Sequence, residues 1–170
     1  MPLSIRGAAI ACALLVACGS TAAGAAPVAP SLSQTPSAAE RAAFETCLAE
    51  AAANPRAGCA ARVADACIAR DGGETTAGMI ACDARELALW TARIATQIGE
   101  LDAWQSPAQQ RALAAAHAEF LKWRDAKCAF AATIYEGGSL ARVVEPRCRL
   151  ETTAALSGDL AARLAQDDAP

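Results

Sequence analysis

The stretch TAGMIACDARELALWTARIATQIGEL, residues 76–101, decides the fold. Met79, Cys82, Leu87, Trp90, Ile94 and Ile98 recur within it at the three- and four-residue steps of one helix face. It holds no proline, and nothing in it alternates with the period of two that a half-buried strand needs. The spacing predicts a helix from about Thr76 to about Leu101.

Working outward, the same logic places more helices. Upstream, Ser37 with Glu40 three residues on forms a capping box, and a first helix runs to about Ala53, where Asn54-Pro55 breaks it. A second covers about residues 57–70 and ends at Asp71-Gly72-Gly73. Downstream, Ser106 caps a fourth helix whose first position is Pro107, where a missing N–H costs nothing. That helix carries Leu113, Phe120, Trp123 and Cys128 to about Tyr135, and Glu136-Gly137-Gly138-Ser139 ends it. A final helix is expected from about Thr152 to Gln166. Strand and hairpin signals are missing, so the fold class is all-α, a small bundle of four to five helices. The hydrophobic share is 54% but aromatics reach only 4%, and much of the rest is alanine. The helices must therefore pack closely through small side chains, with Trp90, Trp104 and Trp123 most simply serving as core or cap residues.

Eight cysteines supply what such a core lacks. Cys12 and Cys18 sit in an apolar leader, and Cys47, Cys59, Cys67, Cys82, Cys128 and Cys148 remain for the folded part. An even number in an exported chain implies three structural disulfides in an oxidising compartment. No C-x-x-C occurs, which argues against zinc and thioredoxin-like chemistry. Six cysteines allow fifteen connectivities. The preferred one joins Cys47–Cys59, Cys67–Cys82 and Cys128–Cys148, each pair stapling neighbouring elements across a turn. Loops of this length gain about 3 kcal/mol each in the chain-entropy model.

The leader sets the destination. Arg6 precedes an apolar run from Gly7 to Ala17 that is too short to span a bilayer, so residues 1–17 read as a signal peptide. Leu15-Val16-Ala17-Cys18 has the form of a bacterial lipoprotein box, which makes Cys18 the lipidated residue and the lipid its membrane contact. Cleavage near Ala25, after Ala23-Gly24-Ala25, is the alternative and would leave a soluble periplasmic protein. Residues 18–36 read as a flexible Ala/Ser/Pro tether, residues 37–166 as the helical domain and residues 167–170 as an acidic tail.

The residues offer no reaction. The one histidine, His117, lies mid-helix, Ser139 lacks a nucleophile elbow, and the carboxylates Glu119 and Asp125 are interleaved with Lys122, Arg124 and Lys127. No phosphate-binding glycine loop and no metal-ligand spacing occur, so no cofactor is expected. Without Arg6, fourteen basic residues face eighteen acidic ones, which disfavours nucleic acid as a partner.

One long motif points further. Leu113-Ala-Ala-Ala-His117-Ala-Glu-Phe120-Leu-Lys-Trp123-Arg124-Asp125-Ala126-Lys-Cys128 resembles the central motif of the LprI-like lysozyme-inhibitor family, approximately L-R-x-A-Q-R-x-W-x-x-F-R-D-x-x-C. Gly137-Gly138-Ser139, then Cys148, then Thr153-Ala154 follow as in many members, and Thr76-x-x-Met79-x-x-Cys82 with Trp90 looks like the family upstream. The resemblance covers about residues 45–162. Departures fall at His117 and Phe120, at Ile94-Ala95 with Ile98, and at Leu156; they spare the cysteines, Arg124-Asp125 and the glycine turn. The resemblance implies an exported, non-enzymatic binding protein with a lysozyme as partner. A lysozyme cleft carries two carboxylates, and an inhibitor need only fill it with a rigid loop. The candidate loop is Glu136, Gly137, Gly138 and Ser139 with Arg142, pinned by Cys128–Cys148. Arg124 and Asp125 are further candidates, with an equally good reading as a salt bridge between helices. The alternative is a periplasmic structural or envelope-stress module that docks another protein without lysozyme activity.

Overall fold

The structure is a computed structural model that describes residues 33–50, 58–70 and 73–167. The signal peptide, Cys18 and the tether up to residue 32 lie outside the described residues, as do residues 168–170 of the tail. Among the described residues five helices make up the fold: α1 (Ala38–Glu50), α2 (Arg62–Ile68), α3 (Thr76–Asp102), α4 (Pro107–Thr133) and α5 (Ala141–Asp167). No strand occurs among the described residues.

The helix starts follow local chemistry. Glu40 accepts from the Ser37 N–H at 2.7 Å while Ser37 Oγ accepts from the Glu40 N–H at 3.2 Å, so the first capping box forms. Ser106 and Gln109 form a second at α4, with Pro107 at the first position. Thr75 Oγ1 caps α3 by accepting from the Gly78 N–H at 3.0 Å. Helix α2 starts differently. Ala61 stands before it at φ 70°, a left-handed conformation that alanine adopts at a cost of about 1–2 kcal/mol. Glu86, reaching from α3, accepts from the Ala61 and Ala64 N–H groups at 2.7 Å each and supplies the missing cap.

Helix α5 differs most from expectation. It begins at Ala141, eleven residues before the expected Thr152, and carries Pro146 inside it. Proline removes one intrahelical hydrogen bond and normally ends a helix. Here tertiary contacts directly after it hold the helix: Arg147 is ion-paired, Cys148 is bonded to α4, and Leu150 is fully buried.

Helix α5 packs along α3 in parallel and along α4 in antiparallel sense, while α1 and α2 lie against the first half of α3. The main core gathers Phe44, Val63, Ala64, Leu89, Trp90, Leu150 and Ala154. Trp90 is 0% exposed, meets Phe44 edge-on at 4.7 Å, and donates its indole N–H to Glu86 Oε1 at 2.9 Å. A second cluster of Ile94, Leu101 and Leu160 closes the far end. Between them Gln97 and Ser157 exchange hydrogen bonds, Gln97 donating to the Ser157 carbonyl and Ser157 Oγ to Gln97 Oε1, both at 2.9 Å. Trp104 and Trp123 are not core residues: they are 67% and 55% exposed, and Trp123 stands at the rim of a groove between α4 and α5, beside Thr152 and Ala155.

Candidate functional site

Helix α4 ends at Thr133, and in the turn that follows Gly137 takes φ 81°, a conformation open to glycine and strained for other residues. The turn is held by backbone bonds from the Glu136 N–H to the Thr133 carbonyl at 3.2 Å and from the Gly138 N–H to the Tyr135 carbonyl at 3.1 Å. The Arg142 N–H reaches the Ser139 carbonyl at 3.2 Å and starts α5. Residues 133–140 are exposed throughout. Their large side chains face water: Ile134 is 73% exposed, Tyr135 40% and Leu140 49%. Glu136, Gly137, Gly138 and Ser139 therefore share one exposed turn with three apolar groups beside them, and Arg142 follows on the first turn of α5. Sequence reading missed Ile134, Tyr135 and Leu140, since apolar residues next to a glycine turn normally signal core.

The turn is fastened from below. Cys128 on α4 bonds Cys148 on α5, with Cα atoms 5.4 Å apart and Cys128 fully buried. Under Leu140 a cavity of about 210 Å³ is lined by Ile68, Met79, Val143 and Val144, with Asp83 and Arg147 at its polar side. Arg147 Nη1 lies 2.8 Å from Asp65 Oδ1 and Nη2 lies 2.9 Å from Asp83 Oδ1. Burial pushes the Asp83 carboxyl up from 3.8 to about 6; Arg147 pulls it back, and Asp65 and Glu86 add to the rise. Burial also works against the Arg147 charge, but Asp83, Asp65 and Glu151 hold it more firmly protonated than usual. Glu86 is raised by burial too, against the N–H groups it accepts from.

Arg124 and Asp125 lie elsewhere, on the face of α4 that meets α5. Arg124 Nε and Nη2 hold Asp125 Oδ1 at 2.9 and 2.8 Å, and its Nη1 donates to Thr153 Oγ1 at 3.1 Å. Arg149 Nε approaches the same Asp125 oxygen at 3.5 Å, and its Nη2 pairs with Glu145 at 2.8 Å. These groups hold α4 to α5 about three helical turns from the glycine turn. The other disulfides, Cys47–Cys59 and Cys67–Cys82, tie the N-terminal helices to one another and to α3. All three pairs staple neighbouring elements, as the sequence layout predicts. No group of three or more potential metal ligands occurs among the described residues.

The family model of the lysozyme inhibitor LprI matches residues 67–160. The chain belongs to the LprI lysozyme inhibitor family. No curated protein and no solved structure matches the chain. The LprI match begins at Cys67, later than residue 45 where the sequence resemblance starts, and leaves α1 and the Cys47–Cys59 bond outside it. It takes in α3, α4 and all but the last turns of α5. The glycine turn, Cys67–Cys82 and Cys128–Cys148 all lie within the LprI region.

Proposed function

We propose that this chain is an exported, non-enzymatic binding protein that blocks a lysozyme cleft with the turn at residues 136–139 and Arg142. The observation that carries this reading is an exposed turn whose two flanking helices are covalently joined about two helical turns below it. A tip held in this way loses little conformational freedom on binding, so more of its contact energy appears as affinity. Tyr135 and Leu140 give the tip apolar groups to desolvate, the kind of residues that anchor protein interfaces. Arg142 brings a cation toward the acidic groups of a lysozyme cleft. A net negative chain also gains association rate with a basic lysozyme. Arg124 and Asp125 serve the α4–α5 contact and not the partner. Export rests on residues 1–17, with Cys18 as the lipid attachment point or cleavage near Ala25; no described helix is long and apolar enough to cross a membrane.

The experiment is a lysis assay with animal-type and goose-type lysozymes, titrated with oxidised residues 19–170. Saturable inhibition is expected, weakened by Ser139→Ala and Arg142→Ala at unchanged thermal stability. Full inhibition by both variants removes the turn from the reading. No inhibition of either lysozyme removes lysozyme as the partner and favours an envelope docking module.

A further inference from the structure

Helix α4 is held almost wholly by α5, and its opposite face has no neighbour among the described residues. Along that face Ala112, Ala116, Glu119, Trp123, Ala126, Phe130 and Ile134 recur at steps of three and four, every one of them exposed, with Trp123 at the edge where its ring also borders a groove beside Thr152 and Ala155 of α5. Trp123 is 55%, Phe130 72% and Ile134 73% exposed, a continuous apolar stripe of the sort that marks an interface. The stripe is polarised: alanines fill its N-terminal half and the large groups its C-terminal half. Its charges are polarised in the same way, with Glu119 one turn before Trp123 and Lys127 one turn after.

We propose that α4 pairs with α4 of a second copy of this chain, antiparallel about a two-fold axis at Trp123. In that register Phe130 faces Ala116 of the other copy and Ile134 faces Ala112, so each large group meets a small one. Glu119 faces Lys127, and because the contact is isologous this charge pair forms twice. A parallel pairing has none of this, since it sets Glu119 on Glu119, Lys127 on Lys127 and Phe130 on Phe130. Glu119 now pairs with Lys122 of its own helix at 2.8 Å with both side chains over 70% exposed, so it is free to turn outward. Lys127 donates to Thr152 Oγ1 at 3.0 Å and lies over the Trp123 ring at 5.2 Å, and an ammonium has further donors for a second carboxylate. Residues 19–32 offer little to cover the stripe, having only Val28 and Leu32 as large apolar groups.

The pairing leaves both glycine turns free. Trp123 and Gly137 are separated by fourteen residues, so the two tips stand on the order of 40 Å apart at opposite ends of the pair. The assembly is then a bivalent binder, whatever the tips recognise. One helix pair is a small interface, so the dimer belongs to the weak, concentration-dependent class.

The test is analytical ultracentrifugation of oxidised residues 19–170 from low micromolar to near-millimolar concentration. A monomer–dimer equilibrium is expected. Trp123→Glu should abolish it and leave lysis inhibition per chain unchanged. Glu119→Lys should weaken the dimer about tenfold by setting like charges across the axis twice. Adding Lys127→Glu to Glu119→Lys should restore it. A monomer at every concentration overturns the proposal, as does a dimer indifferent to Glu119→Lys or not restored in the double variant. Loss of inhibition in Trp123→Glu with a monomeric parent also overturns it and gives the stripe to the lysozyme contact.

Discussion

Arg147 of α5 and Asp83 of α3 form an ion pair, Nη2 to Oδ1 at 2.9 Å, with the aspartate 2% exposed. The same guanidinium holds Asp65 of α2, so one side chain ties three helices together directly behind the candidate turn. It lies next to Cys148 and one residue after Pro146, where α5 lacks a backbone bond. The cross-links are thus concentrated on the stretch of α5 that helix propensity alone does not support.

This pair makes stability depend on pH. Asp83 has its carboxyl raised by burial to about 6 in the folded chain, against an ordinary 3.8. The folded chain therefore holds a proton that the unfolded chain releases between those values. Its stabilising contribution is complete below about pH 3.8 and is lost as pH rises through about 6. Glu86 is raised as well and acts in the same direction. Asp83→Asn should therefore remove on the order of 1–3 kcal/mol of the stability difference between pH 4.5 and pH 7.5. Urea unfolding of both proteins across that range measures it; parallel pH profiles would contradict the assignment.

Glu86 carries a heavier structural role. Its two oxygens accept from the Ala61 and Ala64 N–H groups and from the Trp90 indole, all within 2.9 Å and all buried. Glu86→Ala leaves three buried donors without a partner and releases the left-handed turn at Ala61. A loss of about 3–5 kcal/mol is expected, with Glu86→Gln losing less because its amide oxygen still accepts. Denaturant midpoints of the two variants give the comparison directly.

What the sequence discloses here is what short-range chemistry decides. Ser37 with Glu40, and Ser106 with Pro107, announce their helix starts because every atom involved lies within one turn. The cysteine pairs follow from the order of elements along the chain. Pro146 misleads, because the groups that hold a helix around it come from α2, α3 and α4. Trp123 misleads in the opposite way: only the arrangement of helices shows that α4 has a neighbour on one side and none on the other. Arg147, with no motif around it, carries no local sign of its two carboxylates. The glycine turn is legible as a turn, and its apolar neighbours become visible as a surface only in three dimensions.

Two glycines test how closely the helices approach. A Cβ on Gly78 would lie 2.6 Å from Gly73 Cα, and one on Gly73 would lie 2.5 Å from Ile68 Cα, backbone in both cases. The start of α3 thus lies directly against the end of α2. Gly78→Ala should cost about 1–3 kcal/mol by forcing that contact apart. Gly99, mid-helix with nothing within 4 Å of its added Cβ, is the control: Gly99→Ala should stabilise by about 0.5–1 kcal/mol. Opposite shifts in Tm are the expected outcome, and a gain at Gly78 would show the α2–α3 junction to be looser than described.

The Cys128–Cys148 bond joins stability to binding. It closes a loop of sequence separation 20 that contains the whole candidate turn. Replacing both cysteines by alanine should cost about 3 kcal/mol in the chain-entropy model, while Arg124, Asp125, Arg149 and Thr153 still hold α4 to α5. The double variant should therefore remain folded at room temperature with a lower Tm. If the turn binds a lysozyme cleft as a preorganised tip, the variant should inhibit more weakly than the oxidised parent under conditions where both are fully folded. The loss should appear mainly as faster dissociation, since a tip free to leave its bound shape shortens the life of the complex. Surface plasmon resonance with immobilised lysozyme separates the two rates, and circular dichroism on the same samples certifies the folded fraction. An unchanged dissociation rate in a folded variant would mean that the disulfide serves stability alone and that the turn needs no pinning to bind.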